Sequence, residues 1–141
     1  MHMTQEADYA VRMVYCIATA GTRSDARFIS EKMGITLRFS LKILGKLVSS
    51  GILLSFKGQG GGYELARRPS DISLNDVIET VDGPYLINRC LRDDHACSMD
   101  DATECYFRKI YADVSAEIQK KLGAVTFDRL LSGEQGLLTD E

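Results

Sequence analysis

Only two histidines, His2 and His95, occur in the 141 residues, and no Cys–His–acid set or metalloprotease motif accompanies them. That scarcity removes most hydrolytic and acid–base chemistry, so the chain is not expected to be an enzyme. A zinc or thiol redox enzyme is kept only as a reading from another class. No apolar run approaches the roughly 20 residues that a membrane span needs. The start, with Glu6 and Asp8 among its first ten residues, is no signal peptide. The expected location is the cytoplasm, where thiols stay reduced and clustered cysteines more often ligate metal than pair as disulfides. Nucleotide loops are absent too. The glycine-rich stretch 57–62 runs on into Tyr63-Glu64, whereas a phosphate loop needs Gly-Lys-Ser/Thr and a dinucleotide fingerprint needs a third glycine at Tyr63.

What is present begins with charge. The net value of −3 hides a strong asymmetry. From Ala26 to Arg68, eight basic residues (Arg27, Lys32, Arg38, Lys42, Lys46, Lys57, Arg67 and Arg68) face only Glu31 and Glu64, whereas the remainder holds nine basic and eighteen acidic residues. A basic patch on an acidic body is the footprint of nucleic-acid contact; a solvated charged face is the plainer alternative.

Periodicity predicts a first helix over about Thr4–Ala20, with Ala10, Met13, Val14, Ile17 and Ala18 on one side and Gly21 as its stop. Cys16, among these apolar residues, reads as a buried structural thiol. Ser24 or Asp25 caps a short helix carrying Phe28, Ile29 and Met33, which ends at Gly34. Thr36 caps the next, Leu37–Ser50, with Leu37, Leu41, Leu44 and Val48 (Leu47 beside them) opposite Arg38, Lys42 and Lys46. A basic amphipathic helix following another after a tight turn is a helix-turn-helix. Strands Ile52–Phe56 and Tyr63–Ala66 flank the glycine-rich tip of a hairpin. Ser73 and Asp76 make a capping box for Leu74–Val81, stopped by Gly83-Pro84.

From Asp101 to about Leu122 the pattern gives one helix about 33 Å long. Its stripe of Phe107, Ile110, Tyr111, Val114, Ile118 and Leu122 would stay uncovered on a lone chain, so a two-fold homodimer is expected; packing on its own domain is the alternative. Thr126 caps a last short helix with Phe127, Leu130 and Leu131. The expected class is mainly α with a small β-hairpin wing. Residues 1–83 form a winged helix-turn-helix domain, 84–105 a cysteine-containing cluster-binding region, 101–131 the dimerisation helix with its short follower, and 132–141 a polar tail.

The DNA-reading candidates are Arg27, Thr36, Arg38, Phe39, Ser40, Lys42 and Lys46 around the recognition helix, with Lys57 and Gln59 at the wing tip. Arg and Lys donate to guanine or phosphate, Ser contacts several bases, and Phe39 meets a thymine methyl or else packs in the core. The partner is a double-stranded DNA operator.

Six residues separate Cys90 from Cys97 and seven separate Cys97 from Cys105 in a polar stretch, without the Cys-x-x-Cys pair of zinc ribbons. The wide spacing suits an iron–sulfur cluster, 2Fe-2S or 4Fe-4S, held by thiolates. Cys105 falls in the first turn of the long helix, where unpaired N–H groups favour thiolate. Three thiolates leave one position for Asp8, His95, Asp101, Glu104 or a partner's residue, each carboxylate having an exposed helix-capping role as its plainer reading.

On these residues the chain resembles the Rrf-type winged-helix regulators, a family with cluster-homeostasis and nitric-oxide-sensing branches. The resemblance runs from Asp8-Tyr9-Ala10 through the long helix. Gly58-Gln59-Gly60-Gly61-Gly62-Tyr63-Glu64-Leu65 is similar to the wing signature, and Leu41-Lys42-Ile43-Leu44-Gly45-Lys46-Leu47 to the recognition helix. It implies dimerisation through the long helix and a cluster on Cys90, Cys97 and Cys105. The histidine that some members carry three residues after the last cysteine is Arg108 here, and Gln59 replaces a common wing-tip proline. Asp8 matches an acidic ligand that other members supply from the opposite subunit, a trait of the nitric-oxide branch, which leaves His95 second. The function implied is a homodimeric regulator, a repressor, sensing redox state, nitric oxide or iron status. A cluster-free member switched by thiol oxidation or a protein partner is the alternative.

Overall fold

In the computed structural model, residues 2–94, 97 and 105–133 are described. Helix α1 (Gln5–Ala20) starts where the Thr4 hydroxyl accepts the Ala7 N–H and stops at Gly21 in the left-handed conformation. Asp25 in turn accepts the Phe28 N–H and starts α2 (Ala26–Met33). After Gly34, Thr36 accepts the Phe39 N–H and starts α3 (Leu37–Ser49). Each start uses the same physics: a short oxygen side chain in extended backbone takes an otherwise unpaired N–H. Strands β1 (Leu53–Phe56) and β2 (Gly62–Leu65) pair antiparallel, with Leu53 opposite Leu65 and Phe56 opposite Gly62. The capping box at Ser73 and Asp76 forms as expected at α4 (Leu74–Asp82). Two further helices, α5 (Tyr106–Gly123) and α6 (Phe127–Leu131), follow.

Helix α1 lies at the centre, packed by α2, α3, α4, α6 and β2. Its Met13, Val14 and Ile17 meet Ile29, Ile43, Leu44, Leu47, Ile52, Leu53, Ile72, Val77 and Phe127 in one buried cluster. Phe127 was expected in an appended helix, yet it is fully buried in this core. Its backbone N–H donates to Ile72 O at 3.0 Å, and Leu74 N–H to Val125 O at 2.9 Å, so the chain after α5 returns to close the first domain.

Several sequence expectations are corrected. The core face of α3 is Ser40, Ile43, Leu44 and Leu47, whereas Leu37 and Leu41 are exposed, because two overlapping apolar rows run along this helix and α1 covers only one. Helix α5 begins at Tyr106, not Asp101, since Cys105 has extended backbone and is the N-cap. Thr126 makes no hydrogen bond to a helix N–H as a cap. The single long-helix stripe divides in two. Ser115 is buried, donating to Tyr111 O at 2.7 Å and accepting Ile87 N–H at 3.1 Å, while Gln119 donates to Tyr85 O at 2.8 Å. That face belongs to the chain's own segment. The other edge, Tyr106, Phe107, Ile110 and Val114, is exposed.

No helix among the described residues is long and apolar enough to cross a membrane.

Candidate DNA-reading face and cysteine region

The outward face of α3 carries Arg38, Leu41, Lys42, Gly45 and Ser49, all exposed. Arg27 and Thr36 are exposed beside it, and Lys57 and Gln59 are exposed at the wing tip. Each of these expected contacts is therefore accessible to solvent, with Leu41 added as an exposed apolar group of the kind that meets a thymine methyl. Two candidates are withdrawn by their placement. Ser40 points into the core and is fully buried, so it does not present its hydroxyl to a base edge. Phe39 is half-buried and packs edge-on against Tyr9, ring centroids 5.9 Å apart, which realises its packing alternative.

Lys42 and Lys46 are placed differently from a free basic ridge. Both reach back to Glu6 in the first turn of α1, Lys46 at 2.7 Å and Lys42 at 3.4 Å. The hydrogen bond from Lys46 holds the Glu6 carboxyl below the usual carboxylate range, with partial burial opposing it.

The wing is braced by a residue that sequence reasoning missed. The Arg23 guanidinium lies 3.5 Å from the centroid of the Phe56 ring, with Nε 3.4 Å from Glu64 and Nη1 donating to Gly60 O at 3.4 Å. At the hairpin's root, Ser24 and Tyr63 exchange backbone hydrogen bonds of 2.9 and 2.7 Å. Gly62 permits that approach. Nothing local in the sequence marks Arg23, whose partners lie more than thirty residues on. Lys57→Ala is expected to flatten the salt dependence of duplex binding by about one phosphate contact. Mobility-shift titrations at several salt concentrations measure this; an unchanged slope removes the wing tip from the interface.

The cysteines are all thiols. Cys90 is half-buried in a short 3-10 turn, Arg89–Leu91, that packs on α5, and its N–H donates to Asn88 Oδ1 at 3.3 Å. Cys97 is exposed. Cys105 caps α5, its Sγ accepting the Arg108 N–H at 3.4 Å. Among the described residues, no group of three or more His, Cys, Asp or Glu side chains is gathered to hold a metal ion. His95, Asp101 and Glu104 lie outside the described residues. Asp8, on α1, pairs with Arg12 at 3.0 Å. Cys16 is half-buried, not fully buried as expected: it lines an open apolar groove with Val11, Tyr15, Phe28, Met33 and Leu130, and burial raises its thiol pKa against the pull of Lys32.

Comparison with known proteins converges with this geometry. The family model Rrf2, described as an iron-dependent transcriptional regulator, matches residues 3–133. The chain is similar to the transcriptional regulator IscR of Vibrio atlanticus, 29% identical over 140 residues, covering 97% of this chain and 79% of that protein. It is likewise similar to IscR of Pectobacterium atrosepticum, 28% identical over 139 residues, with 97% and 83% covered. Its fold matches that of CymR, the global cysteine regulator of B. subtilis, with a TM-score of 0.76 at 18% identity over 96% and 99% of the two chains. T. potens IscR gives 0.72 at 20% identity over 100% and 93%.

Proposed function

We propose, for a chain that belongs to the Rrf2 family of transcriptional regulators, that it works in the cytoplasm as a homodimeric repressor whose hold on an operator is set at Cys90, Cys97 and Cys105. DNA binding and transcriptional regulation follow from the family, which is not an enzyme class. The sensing role rests on one observation: Cys105 is at once a thiol of the cysteine region and the cap of the helix whose apolar edge is uncovered. Ligation or oxidation of that sulfur changes the charge and the direction of the acceptor that meets the Arg108 N–H, and so alters how α5 begins.

The donor set fits an iron–sulfur cluster in its chemistry, as three thiols with a carboxylate or imidazole available, although the described residues do not form an assembled cage. Cys90, Cys97 and Cys105 would hold it, with Asp8 of the partner subunit as fourth ligand and His95 as second choice. When bound, such a cluster supplies a centre that oxygen or nitric oxide attacks. The chain's own part is to tie that region to the dimer helix, through Ile87 on Ser115 and Tyr85 on Gln119. Half-sites must match one DNA turn, so a shift of a few ångströms along α5 changes operator fit.

The exposed position of Cys97, open to oxidants, supports a second reading, a cluster-free regulator switched by oxidation of the same thiols or by a protein partner. Protein prepared without oxygen separates the two. The first expects iron and sulfide in stoichiometric amounts, lost on Cys90→Ser, Cys97→Ser or Cys105→Ser, and duplex binding that changes with nitric oxide. Colourless protein whose duplex binding still responds to peroxide establishes the second. Binding indifferent to both reagents ends the sensing proposal.

A further inference from the structure

The first turn of α1 carries contacts that capping alone does not require. The Thr4 N–H donates to Asp82 Oδ2 at 2.9 Å and its hydroxyl donates to Oδ1, fastening this turn to the end of α4. Glu6 then leans onto α3. One carboxylate oxygen takes Lys46 and the other takes Lys42. The Glu6 side chain is only 19% exposed, whereas that of Lys42 is 59% exposed. The acid is thus the fixed member of the group and the lysine the mobile one.

Around these lysines lies a shallow recess of about 680 Å³, lined also by Gly45, Ser49, Ser50 and Thr80. Of its three hydroxyls, those of Ser50 and Thr80 already donate to Leu47 O and Asp76 O, which leaves the two ammonium groups and Ser49 around a helical glycine beyond which a side chain would meet nothing within 4 Å. Glycine inside a helix costs about 1 kcal/mol relative to alanine. Here its use is space, since without a Cβ the α3 backbone can approach a phosphate chain closely. The recess therefore has the shape and donors of a phosphate-contact site, with a carboxylate already occupying its cations.

We propose that Glu6 is a positioning residue that holds Lys42 and Lys46 off the DNA backbone and so keeps duplex affinity below what α3 can deliver. The inference rests on the reading of α3 as the DNA-contacting helix. A carboxylate between two ammoniums leaves one net positive charge where the sequence offers two, and a phosphate drawn to Lys42 also meets the negative charge of Glu6. Because the Thr4–Asp82 contact anchors the turn, Glu6 does not simply swing aside.

The test compares the full-length protein with Glu6→Gln, which keeps an acceptor for Lys46 and removes the charge. The probe is a fluorescent DNA duplex of mixed sequence, titrated at several salt concentrations. Glu6→Gln is expected to bind about threefold to tenfold tighter at low salt, with a slope steeper by about one phosphate contact. The double variant Glu6→Gln/Lys42→Ala should lose that gain. Glu117→Gln, an equal change in net charge on exposed α5, should not reproduce it. Equal or weaker binding by Glu6→Gln, or an equal gain from Glu117→Gln, overturns the inference while leaving DNA reading intact. A parent protein that binds no duplex at any salt overturns both.

Discussion

Gly62→Ala is expected to destabilise the fold by about 3 kcal/mol or more, read as a lower midpoint of urea unfolding at constant slope. Gly62 has φ +140°, a region side chains rarely enter, and forcing an L-residue there costs about 1–3 kcal/mol. Space adds to the strain. A Cβ at this position would lie 2.5 Å from Ser24 O and 2.8 Å from Ser24 C, both backbone atoms. Relief requires parting Ser24 from Tyr63, whose two mutual hydrogen bonds contribute about 1 kcal/mol each. Tyr63 and Leu65, packed against the core cluster, would follow the strand outward. A loss below about 0.5 kcal/mol would show that the hairpin root gives way easily and is not a fixed joint.

The second large effect is expected at the proposed dimer contact. Tyr106, Phe107, Ile110 and Val114 are 79%, 66%, 56% and 43% exposed, forming one apolar edge of α5 left open by the described residues. In a two-fold pair every residue of that edge is buried twice. Burying one isoleucine side chain contributes about 1.5–3 kcal/mol. Ile110→Glu removes two such contributions and leaves two carboxylates without partners. The dimer dissociation constant should therefore rise by about two to four powers of ten, seen by sedimentation as monomer at micromolar concentration. Operator affinity should fall with it, because two half-sites are no longer joined. Helical circular dichroism should persist, since Ile110 lies on the opposite side of α5 from the Ser115 and Gln119 contacts. A parent protein already monomeric at that concentration, or an undisturbed dimer in the variant, removes this edge as the interface.

The local grammar of the fold was legible in the sequence. Thr36 and Ser73 each cap the helix assigned to them, Asp25 is the one of its two candidates that forms the cap, Thr4 caps a helix it was expected to begin, and Gly21 and Gly34 end helices in the left-handed conformation. Caps are read locally because they are made locally, by atoms three residues apart. The rotation of α3 was not legible. Its apolar residues occupy more than one stripe, and only packing against α1 selects Ile43 over Leu41 for the interior. Long-range polar contacts were equally hidden. Glu6 is 40 residues from Lys46 and Arg23 is 41 from Glu64, separations at which no periodicity speaks. Phe127 sits in a five-residue helix too short to advertise its place in the core, which depends on the turn after α5 meeting Ile72. Of the candidate contacts, Arg27, Thr36, Arg38, Lys42, Lys57 and Gln59 are exposed, as a DNA-contacting role requires, while Ser40 is buried on the other side of α3.

The stitch between Ser24 and Tyr63 also bears on how a target is chosen. Two backbone hydrogen bonds there tie the hairpin to the residues that start α2, so a firm joint at this point would make wing and helices meet DNA as one body. When such a body meets a groove of the wrong width, the duplex must do the yielding. Compressing or bending DNA has an energy that varies with its base steps, being lower at pyrimidine–purine steps and higher in A-tracts. Base pairs that no side chain touches thereby enter the choice of operator through their stiffness.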